Sequence, residues 1–236
     1  MRDGDQGLEI LLLRRSERAS FVPGAYVFPG GVVDTADASS EAAALVRGLS
    51  PARAAARLAL PGAEPPAIAY LVAAVRETFE ESGLLVATSF EAGGNPSPAD
   101  RRIAALRAEL LAGQVGFADV LTRIGARLVG DGLAYFAHWI TPESAPRRYD
   151  TRFFAARIDC DVTAADIEAA LDPCEMNGAL WTTPAAAVKA FEAEALRMIL
   201  PTRRTLEYLM GFGDTRAALA AMEDLVVATN LPRSGP

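Results

Sequence analysis

Apolar residues between positions 67 and 82 fall at Ile68, Leu71, Val72, Val75 and Phe79, at steps of 3, 4, 7 and 11 from the first. That spacing lines one face of an α-helix and predicts a helix over 67–82, with Gly83 as the left-handed residue just past its end. Residues 8–14 form an apolar run of strand length, and residues 25–28 a second one stopped by Pro29-Gly30-Gly31. Only residues 1–7 precede the first run, and they read as the turn of a hairpin whose first strand is missing. An exposed sheet edge, or a contact with a second copy of the chain, is therefore expected along residues 8–13.

The remaining pattern is shorter in period. Residues 38–60 read as two short helices, the second opened by Ser50 as N-cap and Pro51 at its first position. Residues 61–66 are a break, and 91–98 the clearest loop. Helices are expected over 99–112 and 117–124, then a hairpin joining 128–129 to 134–140 through Gly130-Asp131-Gly132. A strand over 152–158, a helix over 164–171 and a strand over 178–181 follow, and the tail over 184–230 is helical in three pieces. Strands on both sides of a central helix imply an α/β architecture, a mixed sheet packed between helices. Residues 1–236 read as one domain, with 38–66 an insertion too short to bury a core of its own.

Composition narrows the chemistry. The chain has 236 residues, 51% of them hydrophobic, which excludes global disorder. Lys and Arg number 23 against 30 Asp and Glu, a net charge of −7, so no nucleic acid or anionic membrane is expected as a partner. One histidine, His138, removes every His-pair metal motif and reads as an ordinary strand residue. Two cysteines, Cys160 and Cys174, are too few for a disulfide framework and read as buried thiols. No targeting signal or apolar span is visible, which makes reduced cytoplasm the default compartment. Carboxylates must carry any catalysis.

Arg76-Glu77-Thr78-Phe79-Glu80-Glu81-Ser82-Gly83 shows where. At 100° per residue, Glu80 lies about 60° to one side of Glu77 and Glu81 about 40° to the other, while Phe79 points inward. Like charges three and four residues apart repel, and the helix C-terminus disfavours anions. A hard divalent cation such as Mg²⁺ or Mn²⁺ resolves that conflict.

Gly30-Gly31 upstream and RETFEESGL downstream resemble the signature box of the Nudix hydrolase superfamily. Asp37 stands where the box has its first glutamate, and 38 residues separate it from Arg76 where the family spaces seven. An insertion at this place is similar to that of the coenzyme A diphosphatase subgroup. Phe28-Pro29-Gly30-Gly31, the segment from Arg148 to Phe154 and Cys174-Glu175 leading to Trp181 and Pro184 resemble that subgroup too. The resemblance implies a Nudix-type α/β/α sandwich. It implies Glu77, Glu80 and Glu81 as metal ligands, with the carbonyl of Gly30, and Arg76 paired to Asp37 to orient the helix. The cofactor implied is Mg²⁺ or Mn²⁺. Glu175 and Asp150 are candidates for a general base outside the box.

The implied reaction is hydrolysis of the P–O–P link of a small nucleoside diphosphate derivative. Leu11-Leu12-Leu13-Arg14-Arg15-Ser16, Gly24 and the Phe28–Gly31 run keep the spacing of a motif of coenzyme A-cleaving members, but Leu13 replaces its threonine and Ala19-Ser20 its Leu-Arg pair. Coenzyme A or an acyl-CoA is one reading of the substrate, with Arg15, Phe28 and Arg148 as binding residues. ADP-ribose or a dinucleotide is the alternative, and a non-catalytic nucleotide sensor is the rival from another class.

Overall fold

The computed structural model describes residues 1–90, 96–145, 147–158 and 161–232. Strands β1 (Arg2–Gly4) and β2 (Gly7–Arg15) open the chain as a hairpin, and β3 (Tyr26–Val27) follows. A 3-10 turn over Thr35–Ala38 leads into α1 (Ser40–Ala44), β4 (Val46–Arg47) and α2 (Pro51–Arg57). Then come the long helix α3 (Ala67–Ser82), β5 (Thr88–Phe90), α4 (Arg101–Leu111), α5 (Phe117–Ile124) and β6 (Ala126–Val129). After β7 (Ala134–Ile140) and β8 (Asp150–Ala155) the chain forms α6 (Ala164–Glu168) and β9 (Met176–Thr182). Helices α7 (Pro184–Glu192), α8 (Leu200–Leu209) and α9 (Thr215–Glu223) precede the short β10 (Thr229–Asn230).

The architecture is α/β, with antiparallel and mixed sheets. Strand β2 centres an antiparallel sheet in which β9 pairs with Ile10–Arg15, β3 with Leu13 and Arg14, and β1 with Gly7–Glu9. Strand β7 pairs antiparallel with β8 and parallel with β10, and β6 pairs antiparallel with β5 and parallel with β4.

From Ile10 to Leu13 both faces of β2 are buried, which explains the unbroken apolar run there. Leu8, Ile10 and Leu12 join one apolar cluster with Ala134, Phe136, Val188, Leu206 and Leu209. Leu11 and Leu13 join a larger one, built on the inner face of α3: Ile68, Leu71, Val72, Val75 and Phe79. Segment 38–66 contributes Ala42, Leu45, Leu49, Ala54 and Leu58 to that same larger cluster. Its second helix starts as expected, with Ser50 Oγ accepting from the Arg53 amide and Pro51 at the first position.

Three expectations are corrected. Residues 8–13 are not an open edge: Leu8 and Glu9 pair with Asp3 and Arg2, and Ile10–Arg15 pair with β9. The first strand is present but only three residues long and polar, too short to show a period. Arg2 fixes it, donating to Glu9 at 2.7 Å and to the Val162 carbonyl at 2.6 Å. The hairpin expected through residues 130–132 does not form, because β6 and β7 take partners in different sheets and Gly130–Gly132 is a 3-10 turn. A Cβ at Gly130 would lie 2.5 Å from that of Leu49, so the chain passes here against segment 38–66. Cys174 is exposed, not buried. Cys160 and residues 91–95 of the expected loop lie outside the described residues.

Candidate active site

Helix α3 is amphipathic with a polar end. Phe79 is fully buried beneath its last turn, which leaves Glu77, Glu80 and Glu81 no direction but outward. They line a cavity of about 290 Å³ with Leu111 of α4, Asp172 and Glu175 from the turn before β9, and Met176 at the start of β9. The Gly30-Gly31 loop meets the same carboxylates. The Gly30 amide donates to Glu81 Oε2 at 2.8 Å, and a Cβ on Gly31 would overlap the Glu77 carboxylate. Only glycine lets the main chain come this close.

Arg76 ties the helix to the upstream turn. Its Nε and Nη2 donate to the two oxygens of Asp37, each at 2.9 Å, and Nη2 also donates to the Val32 carbonyl at 2.8 Å. Nη1 donates to Glu80 at 2.9 Å and lies 3.0 Å from Glu77 Oε1. Asp37 is 1% exposed and is held by its own turn: its carboxylate accepts from the Asp34 amide at 2.8 Å, while Asp34 accepts from the Ala36 amide. A fork with five donors facing a two-oxygen acceptor makes this a bidentate pair.

Burial raises the pKa of Glu77 and of Glu80, and in each the charge of Arg76 works against the rise. Glu81 goes furthest. Burial pushes it up to about 8; the Gly30 N–H and Arg15 oppose the rise, while the charges of Glu77 and Glu175 add to it. Burial lowers the pKa of Arg76, yet its hydrogen bonds to Asp37 and the charges of Glu77, Asp37 and Glu80 outweigh that, and the guanidinium is held above its ordinary range. In all three glutamates burial is the largest cause, ahead of repulsion between the carboxylates.

A family model, the NUDT19 Nudix domain, matches residues 4–207. The chain belongs to the Nudix family. It is 30% identical to the acyl-coenzyme A diphosphatase NUDT19 of Gallus gallus over 228 residues, 82% of this chain and 58% of that protein. It is also 30% identical to putative nudix hydrolase 7 of Caenorhabditis elegans over 200 residues, 84% of this chain and 54% of the other. Against the human acyl-coenzyme A diphosphatase NUDT19 the figures are 27%, 88% and 62%. The chain therefore spans less than two thirds of the length of these relatives. The crystal structure of a NUDIX hydrolase from Alicyclobacillus acidocaldarius superposes with a TM-score of 0.73 at 26% identity, covering 93% of this chain and 91% of that one.

Of the residues that the Nudix resemblance singles out, the structure brings together Glu77, Glu80, Glu81, Arg76, Asp37 and Gly30, with Glu175 across the cavity. It is the Gly30 amide, donating to Glu81, that meets the carboxylates. Arg15 lies close enough to act electrostatically on Glu81. The others go elsewhere. Phe28 packs edge-on against Phe153 in the second apolar cluster, and Arg148 donates to the Thr141 carbonyl at 3.0 Å. Asp150 lies 2.7 Å from Nε2 of the buried strand residue His138 and 2.6 Å from Arg152, outside the carboxylate cavity.

Hard carboxylate oxygens facing one cavity are the donor type that Mg²⁺ or Mn²⁺ takes. Among the described residues no three acids stand in metal-holding positions, because Glu77 and Glu80 lean to Arg76 while Glu81 bonds Gly30. The donor chemistry of the set, oxygen from three carboxylates, fits such a cation. A larger cavity, about 770 Å³, opens at the far end of β2 and β9 around Arg2, Glu9, Trp181 and Thr183. It holds none of the glutamates, arginine or glycines of the Nudix box, so size does not mark the chemistry here.

Sequence reasoning missed Asp172 and Arg107. Asp172 starts the turn that presents Glu175, its carbonyl accepting from the Glu175 and Met176 amides. Arg107, on α4, reaches the end of α3, and the charges of Glu80, Asp172 and Glu81 counter the lowering that burial imposes on it. One signal was readable: Ile103, Leu106, Arg107 and Leu110 fall at i, i+3, i+4 and i+7, so an arginine holds a place in an apolar stripe.

Proposed function

We propose that this chain is a divalent-metal-dependent hydrolase that splits the P–O–P link of a nucleoside diphosphate derivative, with coenzyme A or an acyl-CoA as substrate. One observation carries the reading. Three glutamates of α3 face Asp172 and Glu175 across one cavity, with the Gly30 amide bonded to Glu81 and the helix pinned through Arg76 to Asp37. The names of the chicken and human relatives support the substrate choice.

Each residue then has a task. Glu80 and Glu81 are the principal ligands of Mg²⁺ or Mn²⁺, with Glu77 the third acid and the Gly30 carbonyl able to complete the sphere. A bound cation would neutralise diphosphate oxygens and polarise the attacking water. Arg76 and Asp37 hold the helix at a fixed angle to the loop. Glu175, on the opposite wall, takes the proton of the attacking water, and Arg15 meets the entering phosphate. A volume of about 290 Å³ suits the diphosphate and its cation, leaving the nucleoside and any acyl chain to lie outside it. Segment 38–66 is an insertion between Asp37 and α3 within a single domain. Among the described residues no helix is long and apolar enough to cross a membrane.

The test is a substrate panel with Mg²⁺: coenzyme A, acyl-CoAs, ADP-ribose, NADH and diadenosine polyphosphates. Release of 3′,5′-ADP and a phosphopantetheine from coenzyme A or its thioesters supports the full reading. Cleavage of ADP-ribose or a dinucleotide alone keeps the reaction and replaces the substrate. Calorimetric binding of a nucleotide, without a phosphate-ester product from any substrate, overturns hydrolysis in favour of a sensor.

A further inference from the structure

Helix α3 ends where its acids begin to matter, and an α-helix ends with carbonyls that have no intrahelical partner. Here two of the last carbonyls are met from another helix, that of Phe79 in addition to the Gly83 amide it already accepts at 2.8 Å. Arg107 of α4 donates through Nε to the carbonyls of Phe79 and Glu80, each at 2.9 Å, and through Nη2 again to that of Glu80. Its Nη1 donates to the carbonyl of Ala170 at 2.5 Å. Ala170 lies just beyond α6 and two residues before Asp172, at the start of the turn that presents Asp172 and Glu175 to the cavity. A second contact joins the same elements: a Cβ on Gly83 would lie 3.0 Å from that of Pro98 and 3.8 Å from that of Ala170.

We propose that Arg107 is a positioning residue: by gripping both backbone ends at once it sets the width of the cavity between the glutamates of α3 and the Asp172–Glu175 turn. The activity readout below rests on the hydrolase reading; the geometry does not. The guanidinium suits the task because its planar fork serves three carbonyls together, whereas an ammonium offers a compact point charge. Its charge also balances the negative end of the α3 dipole, where three carboxylates crowd. A residue that only filled space would have continued the stripe of Ile103, Leu106 and Leu110 with another aliphatic.

The experiment compares Arg107→Ala and Arg107→Lys with the unaltered chain. Circular dichroism checks folding, backbone hydrogen exchange follows residues 79–86, 168–176 and, as a control, 200–209, and Mn²⁺ binding and steady-state kinetics complete the set. Loss of the grip should quicken exchange about tenfold in the first two segments and leave the third unchanged. Mn²⁺ affinity and kcat should each fall about tenfold, as when a partner that orients metal ligands is removed, with KM changing much less. Added guanidinium ion should return part of the loss in Arg107→Ala. Exchange over 168–176 equal to that of the unaltered chain overturns the proposal, whether or not the chain hydrolyses anything. So does changed exchange with Mn²⁺ affinity and kcat both within twofold. Should Arg107→Ala fail to fold, Arg107→Lys decides alone: intermediate values support the proposal, and values equal to the unaltered chain in all readouts overturn it. If the unaltered chain cleaves no substrate, the hydrolase reading fails by itself, and exchange with Mn²⁺ binding still judges Arg107.

Discussion

Two arginines hold helix α3, and they do it in different ways. Arg76 works chiefly side chain to side chain, gripping the buried Asp37 and touching Glu77 and Glu80, with one further bond to the Val32 carbonyl. Arg107 works side chain to backbone, taking the carbonyls of Phe79 and Glu80 and the carbonyl of Ala170. The first fixes the helix to the Gly30-Gly31 side of the cavity, the second to the Asp172–Glu175 side. An ion pair needs particular partners, so it leaves a spacing in the sequence. A carbonyl belongs to every residue, so a grip on one leaves no partner to find.

The largest expected effect falls between the two grips. Glu81→Gln keeps the shape and removes the charge, and should lower kcat about a thousandfold, some 4 kcal/mol of barrier, while the fold survives. Turnover equal to the unaltered chain would mean that the two arginines frame no metal site. Arg76→Ala is next. It strands Asp37, 1% exposed, without its cation, and should destabilise the fold by about 3 kcal/mol in urea melts. Asp37→Asn combined with Arg76→Ala should destabilise less than the sum of the two, since the second change removes the stranded charge. Strict additivity would break the claim that Arg76 acts through Asp37.

The same contrast explains what the sequence could tell. The acid arc of Glu77, Glu80 and Glu81 follows from helical geometry alone, and Phe79 between them tells which way they face. Asp37 was reachable across 38 residues only because the pattern on both sides of the gap resembles one family. Strand β1 was invisible because three residues cannot show a period. The turn at Gly130–Gly132 misled because glycines mark a chain reversal without saying whether the flanking strands pair with each other, and here β6 and β7 belong to different sheets. Phe28, Arg148 and Asp150 are expected to serve the reaction from the family resemblance of the short segments that hold them. The fold sends them to an aromatic contact, a hairpin turn and a buried histidine.

A smaller effect concerns pH in the metal-free protein. Burial lifts Glu81 from 4.5 to about 8, so between those values the folded chain keeps a proton that the unfolded chain has released. Stability must then fall as pH rises through that window and level off above about 8. The loss should be on the order of 2 kcal/mol, since the site is open enough to admit water. Thermal melts with chelator at pH 5, 6.5 and 8 should decline for the unaltered chain and stay flatter for Glu81→Gln. Mn²⁺ should reverse the decline, and its affinity should rise with pH because binding displaces the proton. A Glu81→Gln curve parallel to that of the unaltered chain would assign the slope to another group.

The smallest effect separates the two grips by their supports. Helix α4, which carries Arg107, is capped by Asp100, whose Oδ1 accepts from the Arg102 amide at 2.7 Å and the Ile103 amide at 3.3 Å. Helix α2 is capped by Ser50, which accepts from the Arg53 amide at 3.3 Å and lies in the segment between Asp37 and α3. Removing either cap, as Asp100→Ala or Ser50→Ala, should destabilise by about 1 kcal/mol, the usual value for an N-cap. Activity should distinguish them. Fraying of α4 loosens the helix that aims Arg107, so Asp100→Ala should lower kcat by up to about twofold, a fraction of 1 kcal/mol. Ser50→Ala touches neither grip: Asp37 is held by the Asp34 amide and by Arg76, both independent of α2. Its kcat should match the unaltered chain at equal folded fraction. The reverse order would show that segment 38–66, not α4, governs the acids of α3.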